Sequence, residues 1–199
     1  TNTWNIGDHD EDGGTTPDEA MGFSPIGNNS NKFFGSFDGQ SHVITNLYIK
    51  RSGYDYIGLF GYIGSQSSLS NVGIEDGNVE GNIRVGGLIG RSFEGMIESC
   101  YTTGNATGTE NTVGGLIGES GNDTITSCYA SGNVSGQKYL GGLIGFCSGS
   151  NIYLSNATGS VATTGTGILG TDNLGGLIGR MENDGTITSC FSTGEVTGG

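Results

Sequence analysis

The amino-acid sequence predicts an all-β fold, a right-handed parallel β-helix (β-solenoid) with about six coils of about 28 residues each. Three observations predict it: a glycine-rich apolar segment recurs at regular spacing, a second β-prone element follows each copy, and a short apolar step closes each copy. Short strands that cannot bury a face alone gain a core when equivalent strands stack from coil to coil. Because crossovers between parallel strands are nearly always right-handed, we expect a right-handed coil.

The first repeated element is a Gly-Gly-Leu-Ile-Gly segment preceded by an apolar residue. Four copies begin at Val85, Val113, Leu140 and Leu174, and a divergent copy runs Ile57-Gly-Leu-Phe-Gly61. The leucines of successive copies are 29, 28, 27 and 34 residues apart. The paired glycines disfavour a helix by about 1 kcal/mol each relative to alanine. We expect them instead to permit corners with positive φ and a close approach of backbones across a narrow prism.

The second element combines Ile-x-Ser-Cys with an aromatic residue. Near-identical copies begin at Ile97, Ile125 and Ile187, and divergent ones span residues 69–81 and 152–161. The third apolar step follows at Val79, Ala106, Val134, Val161 and Val196. Each copy therefore holds three β-prone pieces separated by Gly, Asn, Ser and Thr, which predicts three strands and three corners per coil.

The composition and charge exclude several classes of protein. Of 199 residues 41 are glycine and only 2 are proline, without glycine at every third position, so the chain is not collagen. The net charge of −13 disfavours nucleic acids and anionic lipids as partners. The longest apolar runs are far shorter than the about 20 residues of a membrane span, so we expect no membrane insertion.

The two repeated elements together resemble a known family. Val-Gly-Gly-Leu-Ile-Gly followed by Ile-x-Ser-Cys-Tyr-x-x-Gly-Asn-Val-x-Gly resembles the GLUG repeat, and the stretch from Phe34 to Ile49 resembles the segment that commonly precedes such repeats. The resemblance covers about residues 20–199. It implies a parallel β-helical stalk or passenger of a large secreted or cell-surface protein, often adhesin-like, and it implies no reaction.

The N-terminal residues differ from the repeats and predict a calcium-binding cap. We expect residues 1–22 to form a strand and an acidic calcium loop, and residues 23–199 to form the solenoid, truncated at its C-terminal end. Carboxylates on alternate residues, a glycine and a later glutamate match the twelve-residue calcium-loop pattern in full. The predicted ligands of this structural Ca²⁺ are Asp8, Asp10, Asp12, Gly14, Thr16 and Glu19. The alternative is a solvated acidic loop.

The four cysteines predict a buried column of thiols. Cys100, Cys128 and Cys190 occupy the same repeat position, Ser155 replaces them in one copy, and Cys147 lies elsewhere. Since equivalent positions stack, we expect small apolar thiols lining the core. A Cys100–Cys128 disulfide is the alternative, because the spacing of neighbouring coils lies within the allowed range of Cα separations.

An aromatic residue follows each cysteine of the repeat. Tyr101, Tyr129 and Phe191 should point outward and form a ladder that Asn156 interrupts. Stacking that stabilises the sheet is the favoured interpretation. A face that stacks on sugar rings is the alternative, and it makes these three aromatics the predicted ligand-binding residues.

The sequence favours a non-catalytic function. His9 and His42 have no visible nucleophile partner, and Arg91 and Glu119 share a repeat position in adjacent coils, where we expect them to pair. We predict a secreted, cell-surface structural or adhesive module of a larger protein, stiffened by calcium. Its partner would be a cell-surface glycan or protein, or a second copy bound through the coil edges. The alternatives are a polysaccharide lyase or epimerase, an ice-binding solenoid and a self-assembling filament subunit.

Overall fold

The computed structural model describes residues 21–164 and 173–198. Across these ranges the chain forms 27 short strands and no helix. In chain order the strands are β1 (Ser36–Asp38), β2 (Val43–Thr45), β3 (Tyr48–Lys50), β4 (Phe60–Ile63), β5 (Ser68–Ser70), β6 (Gly73–Glu75), β7 (Asn78–Gly81), β8 (Val85–Gly86), β9 (Ile89–Phe93), β10 (Met96–Glu98), β11 (Tyr101–Thr102), β12 (Asn105–Gly108), β13 (Asn111–Gly114), β14 (Ile117–Gly121), β15 (Thr124–Thr126), β16 (Tyr129–Ala130), β17 (Val134–Gly136), β18 (Lys138–Gly141), β19 (Ile144–Ser148), β20 (Asn151–Tyr153), β21 (Asn156–Ala157), β22 (Val161–Thr163), β23 (Leu174–Gly175), β24 (Ile178–Glu182), β25 (Thr186–Thr188), β26 (Phe191–Ser192) and β27 (Val196–Thr197).

Equivalent strands of successive coils pair in parallel and build five sheets, which we number I to V in the order that one coil visits them. Sheet I contains β8, β13, β18 and β23, sheet II contains β4, β9, β14, β19 and β24, and sheet III contains β1, β5, β10, β15, β20 and β25. Sheet IV contains β2, β6, β11, β16, β21 and β26, and sheet V contains β3, β7, β12, β17, β22 and β27. The predicted parallel β-solenoid is confirmed, with about five turns of about 28 residues where about six coils were expected.

Each coil from β8 onward contains five strands, so the prediction of three strands per coil is wrong. The glycine-rich element bends at its second glycine and its leucine and contributes a strand to sheet I and another to sheet II, as at Val113 and Ile117. The Ile-x-Ser-Cys-aromatic element likewise splits between sheets III and IV. Ser127, with a φ of 55°, turns the chain between Ile125 and Tyr129. A single residue with positive φ is enough for such a corner, which residue patterns do not mark clearly.

The core is a set of stacked apolar columns enclosed by the five sheets. In sheet III the register pairs Ile97 with Ile125 and Ile125 with Ile152, and all three side chains are fully buried. Leu88, Leu116 and Leu143 are also fully buried, at the bend between sheets I and II. Each such side chain contributes roughly 1.5–3 kcal/mol by leaving water. Repetition of the pattern therefore supplies a continuous core.

The repeat glycines serve close packing of backbones, which confirms one half of the glycine prediction. A Cβ on Gly114 would lie 2.0 Å from the carbonyl oxygen of Ile117, and one on Gly132 would lie 1.8 Å from that of Gly104. The other half, corners with positive φ at these glycines, is wrong. Neither Gly114 nor Gly132 has positive φ, and the stacked left-handed corner after sheet III consists of Asn71, Ser99, Ser127, Leu154 and Ser189.

Candidate functional site

The residues of the predicted calcium loop lie outside the described part of the chain. This applies to Asp8, Asp10, Asp12, Gly14, Thr16 and Glu19, so the calcium site stays a prediction. Among residues 21–164 and 173–198, no three His, Cys, Asp or Glu side chains form a group suited to a metal ion. Those same ranges contain no helix that is long and apolar enough to cross a membrane.

The aromatic ladder comprises two stacked rings. Tyr101 and Tyr129 stack with ring centroids 4.7 Å apart and an interplanar angle of 6°. The Tyr101 hydroxyl donates a hydrogen bond of 2.8 Å to Glu75. Burial, together with this bond and the charge of Glu75, raises the pKa of Tyr101 to about 12. Asn156 follows Tyr129 in the register and separates it from Phe191, which is 55% exposed.

The cysteine column lies beneath this ladder. Cys100 and Cys128 are buried free thiols, and Ser155 continues the column by accepting a 3.1 Å hydrogen bond from the Cys128 N–H. The Cys100 thiol donates to the Glu98 carbonyl and the Cys128 thiol to that of Thr126, at 3.2 and 3.3 Å. The hydrogen bond to Cys100, followed by burial, raises the pKa of Cys128. The favoured prediction of buried thiols is confirmed for these two residues.

A group of charged and aromatic side chains crosses the outer face of sheets I and II. Glu119 binds Arg91 at 3.0 Å, as predicted, and also Arg84, which directly precedes β8 of sheet I. The guanidinium groups of Arg84 and Arg91 each lie 5.0 Å from a ring centroid, those of Tyr56 and Tyr62 respectively. These two rings stack at 5.6 Å. Each of these five side chains therefore already contacts another side chain of the group. Cation–π contacts of this kind contribute about 0.5–1 kcal/mol each at exposed sites.

Asp123 forms a buried polar cluster that the sequence analysis did not identify. Its Oδ1 accepts hydrogen bonds from the Ser92 hydroxyl at 2.8 Å and the Gly95 N–H at 2.7 Å. Its Oδ2 accepts from the Ser120 hydroxyl at 2.6 Å and the Gly121 N–H at 3.1 Å. Asp123 is fully buried. Burial raises the pKa of its carboxyl group and the four hydrogen bonds lower it, and the net result is a pKa of about 6. The side chain thus ties its own coil to the preceding one.

A signal for this cluster exists in the repeat alignment. The position before each sheet III strand holds Gly35, Ser67, Gly95, Asp123, Ser150 and Gly185 in successive coils. An acid in a column otherwise made of glycine and serine indicates an inward-facing polar group. Ser92 and Ser120, which lie in the preceding sheet II strands, supply the hydroxyl donors that such a buried group needs.

An open cleft of about 630 Å³ lies beside the first complete coil. Two loops, residues 28–31 and 53–56, form its walls, and Asn82 of the following coil completes it. Its lining combines the side chains of Tyr54 and Tyr56 with the carboxylate of Asp55 and several asparagine amides. No repeat pattern marks these loops, so the cleft has no signal in the sequence.

The stacked coils coincide with the repeat of a known family. The family model of the GLUG motif matches residues 81–107, 109–135 and 170–197. The chain carries GLUG repeats. Each of the first two matches begins at or just after the end of one strand of sheet V and runs through sheets I to IV to the next strand of sheet V. One GLUG repeat therefore corresponds to one coil of the solenoid.

Two relatives are similar to part of this chain. Halomucin of Haloquadratum walsbyi is 40% identical over 93 residues, which is 45% of this chain and 1% of halomucin. A Gly-rich membrane protein of Evansella cellulosilytica is 38% identical over 81 residues, which is 39% of this chain and 9% of that protein. The chain thus spans a small fraction of either relative. No solved structure matches it significantly.

Proposed function

We propose that this chain is a non-catalytic, extracellular structural and adhesive module of a larger cell-surface protein. The observation that carries the proposal is the stacking of one GLUG repeat per coil into a continuous parallel solenoid. Because each coil contacts only its neighbours, such a module extends a surface in one direction and repeats it at each step.

The acidic surface and the relatives support the same location. A net charge of −13 keeps a long repetitive chain soluble and limits its binding to nucleic acid. The two relatives are named a halomucin and a membrane protein, and both are much longer than this chain. A short piece of a long surface protein is the simplest source of a solenoid of this kind.

The experiment that tests the location uses intact cells of the source organism. Antibodies raised against the purified chain should label unpermeabilised cells, and external protease should remove the label. A cytoplasmic protein serves as the control for cell integrity. Labelling that appears only after permeabilisation would refute the surface assignment.

Calcium binding at the N-terminal loop forms the second part of the proposal. Asp8, Asp10 and Asp12 alternate with other residues ahead of Gly13, and Glu19 follows at the last position of the loop. This spacing matches a loop that wraps oxygen ligands around Ca²⁺. A bound ion would neutralise a self-repelling segment and tie it to the first coil.

Calorimetric titration of the metal-free protein with Ca²⁺ tests this site. We expect saturable one-site binding that Asp10→Asn abolishes and Asp18→Asn preserves, since both remove one charge but only Asp10 is at a ligand position. Calcium at about 100 times its dissociation constant should stabilise the fold by about 2.7 kcal/mol. An absence of binding, or equal loss in both variants, would reduce the segment to a solvated loop.

A further inference from the structure

The cleft next to the first complete coil has walls that are held in place before any ligand arrives. The N–H of Tyr54 donates to the Arg51 carbonyl at 2.8 Å, and the N–H of Asn82 donates to the Tyr54 carbonyl at 2.8 Å. The Tyr56 N–H donates to the Ile83 carbonyl at 3.0 Å. The loop 53–56 is therefore fastened to the following coil, which keeps the cost of ordering it on binding low.

The opposite wall is a compact turn. The side-chain oxygen of Asn28 accepts hydrogen bonds from the N–H groups of Ser30 and Asn31, at 2.9 and 2.8 Å. The Asn28 N–H in turn donates to the Asn31 carbonyl at 2.8 Å. These bonds fix the backbone of residues 28–31 and leave the side chains of Asn29 and Asn31 at the surface.

Several polar groups of the cleft have no partner within the described part of the chain. Asp55 uses Oδ1 to accept from Asn82 Nδ2 at 3.1 Å and from the Ile83 N–H at 3.2 Å. No hydrogen bond to residues 21–164 or 173–198 engages its Oδ2, the side-chain amides of Asn29 and Asn31, or the Tyr54 hydroxyl. The cleft thus offers a carboxylate oxygen, two amides with both donors and acceptors, and a phenol.

Tyr54 provides the apolar surface of the cleft. Its side chain is 55% exposed, and the Arg51 guanidinium lies over the ring at 6.0 Å from the centroid. Tyr56, in contrast, already contacts Tyr62 and Arg84. Tyr54 is therefore the aromatic ring of the cleft that can pack against an incoming ligand.

This combination selects the chemistry of the ligand. A ligand with several neighbouring hydroxyl groups can both donate hydrogen bonds to the carboxylate and exchange them with the amides. Its apolar C–H face can pack on the exposed ring. The carboxylate of Asp55 and the net charge of −13 disfavour an anionic ligand. A single carboxylate is also a poor site for Ca²⁺, which takes six to eight oxygen ligands.

We propose that the cleft formed by residues 28–31, residues 53–56 and Asn82 binds an uncharged oligosaccharide, with a sugar ring packed on Tyr54 and its hydroxyls bound by Asp55, Asn29 and Asn31. This inference deepens the proposed adhesive function by naming its ligand class. It is separable from the surface location, because binding is measured on the purified chain and location on intact cells.

Titration of the ¹⁵N-labelled chain with cellotriose, mannotriose and N-acetylchitotriose, followed by NMR, tests the proposal. The protein is produced in a bacterial host, so that the Asn28-Asn29-Ser30 sequon stays unmodified. We expect at least one sugar to shift the backbone signals of residues 28–31 and 53–56 saturably. A dissociation constant on the order of 1 mM is expected for a small open site. Tetragalacturonate is the acidic counterpart and should bind at least about tenfold more weakly.

Three variants separate the cleft from other surfaces. Tyr54→Ala should weaken binding at least about tenfold, as truncation of a central aromatic contact does. Asn31→Ala removes an amide that makes no hydrogen bond to the described chain, and it should weaken binding without disturbing the fold. Tyr129→Ala tests the aromatic ladder as the alternative sugar-binding face, since Tyr129 is an exposed tyrosine of that ladder.

The outcomes that overturn the proposal are distinct. No saturable shifts with any of the three neutral sugars would exclude the ligand class. Undiminished binding by both Tyr54→Ala and Asn31→Ala, or binding lost only in Tyr129→Ala, would place the ligand elsewhere. Equal affinity for tetragalacturonate would contradict the selection against charge.

Discussion

Asp123 should make the stability of this protein fall as the pH rises from about 4 to above 6. Its carboxyl group is fully buried between two coils, where burial raises its pKa from 3.8 to about 6. In the unfolded chain the same group ionises with its ordinary pKa of about 3.9. Between these two values the folded protein binds more protons than the unfolded one. The stabilisation by the protonated group is therefore complete below about pH 4 and lost as the pH passes 6.

The magnitude follows from the size of the shift. A shift of about two pKa units at about 1.4 kcal/mol per unit corresponds to ~3 kcal/mol between pH 4 and pH 7. The variant Asp123→Asn keeps the shape of the side chain but does not titrate. Its amide leaves one of the backbone donors, Gly95 N–H or Gly121 N–H, without its acceptor, at a roughly constant cost of about 1–3 kcal/mol. Because this cost does not change with pH, it does not affect the comparison of how the unfolding free energies of wild type and variant vary with pH.

Urea unfolding of wild type and Asp123→Asn at one-unit steps from pH 4 to pH 8 measures the effect. The wild type should lose ~3 kcal/mol relative to the variant over this range. Asp123→Ser introduces the residue that the next coil has at the equivalent position, Ser150. Its unfolding free energy should show the same pH dependence as that of the Asn variant. Asp184→Asn removes a charge from an exposed position and controls for net charge. A constant difference between wild type and both Asp123 variants from pH 4 to pH 8 would refute the reasoning.

Two further predictions concern backbone packing and thiol burial. Gly118→Ala should destabilise the fold by about 1–3 kcal/mol in urea unfolding, because its Cβ would lie 2.6 Å from the Gly90 carbonyl oxygen and 2.7 Å from the Val85 nitrogen. Gly53→Ala has open space around its Cβ and should stay within about 0.5 kcal/mol of wild type, so equal effects would contradict the packing argument. Ellman's reagent should modify at most one thiol of the folded protein, the half-buried Cys190, and all four in urea, since the other three are buried. Rapid reaction of two or more thiols in the folded state would show that the cysteine column is open to solvent.

Much of the fold was predictable because the chain repeats itself. Residues at equivalent positions must meet equivalent neighbours in a stacked solenoid, so the spacing of the Gly-Gly-Leu-Ile-Gly copies was enough to predict parallel pairing in register. The same logic predicted the burial of Cys100 and Cys128 and the pairing of Arg91 with Glu119. The repeat did not predict the corners, because a residue with positive φ such as Ser127 or Leu154 is of no type that distinguishes it from the residues around it.

The candidate sites were less predictable than the fold, because they depend on residues that break the repeat. Asp123 appears as one acid in a column of glycine and serine, and only the folded structure brings four hydrogen-bond donors together around it. The cleft depends on the loops 28–31 and 53–56, which precede the GLUG matches and are distant from one another in sequence.

The sequence by itself determined the parallel solenoid, the repeat length and the burial of the cysteine column at Cys100 and Cys128, because these follow from the repetition of equivalent positions. Only the tertiary structure decided that the coils from β8 onward have five strands, that the left-handed corners fall at residues other than the repeat glycines, and that Tyr54, Asp55 and two asparagines share one cleft. The physical reason is that periodicity specifies which residues stack between coils. Contacts between different sides of one coil, or between non-repeated loops, depend on the path of the backbone in three dimensions.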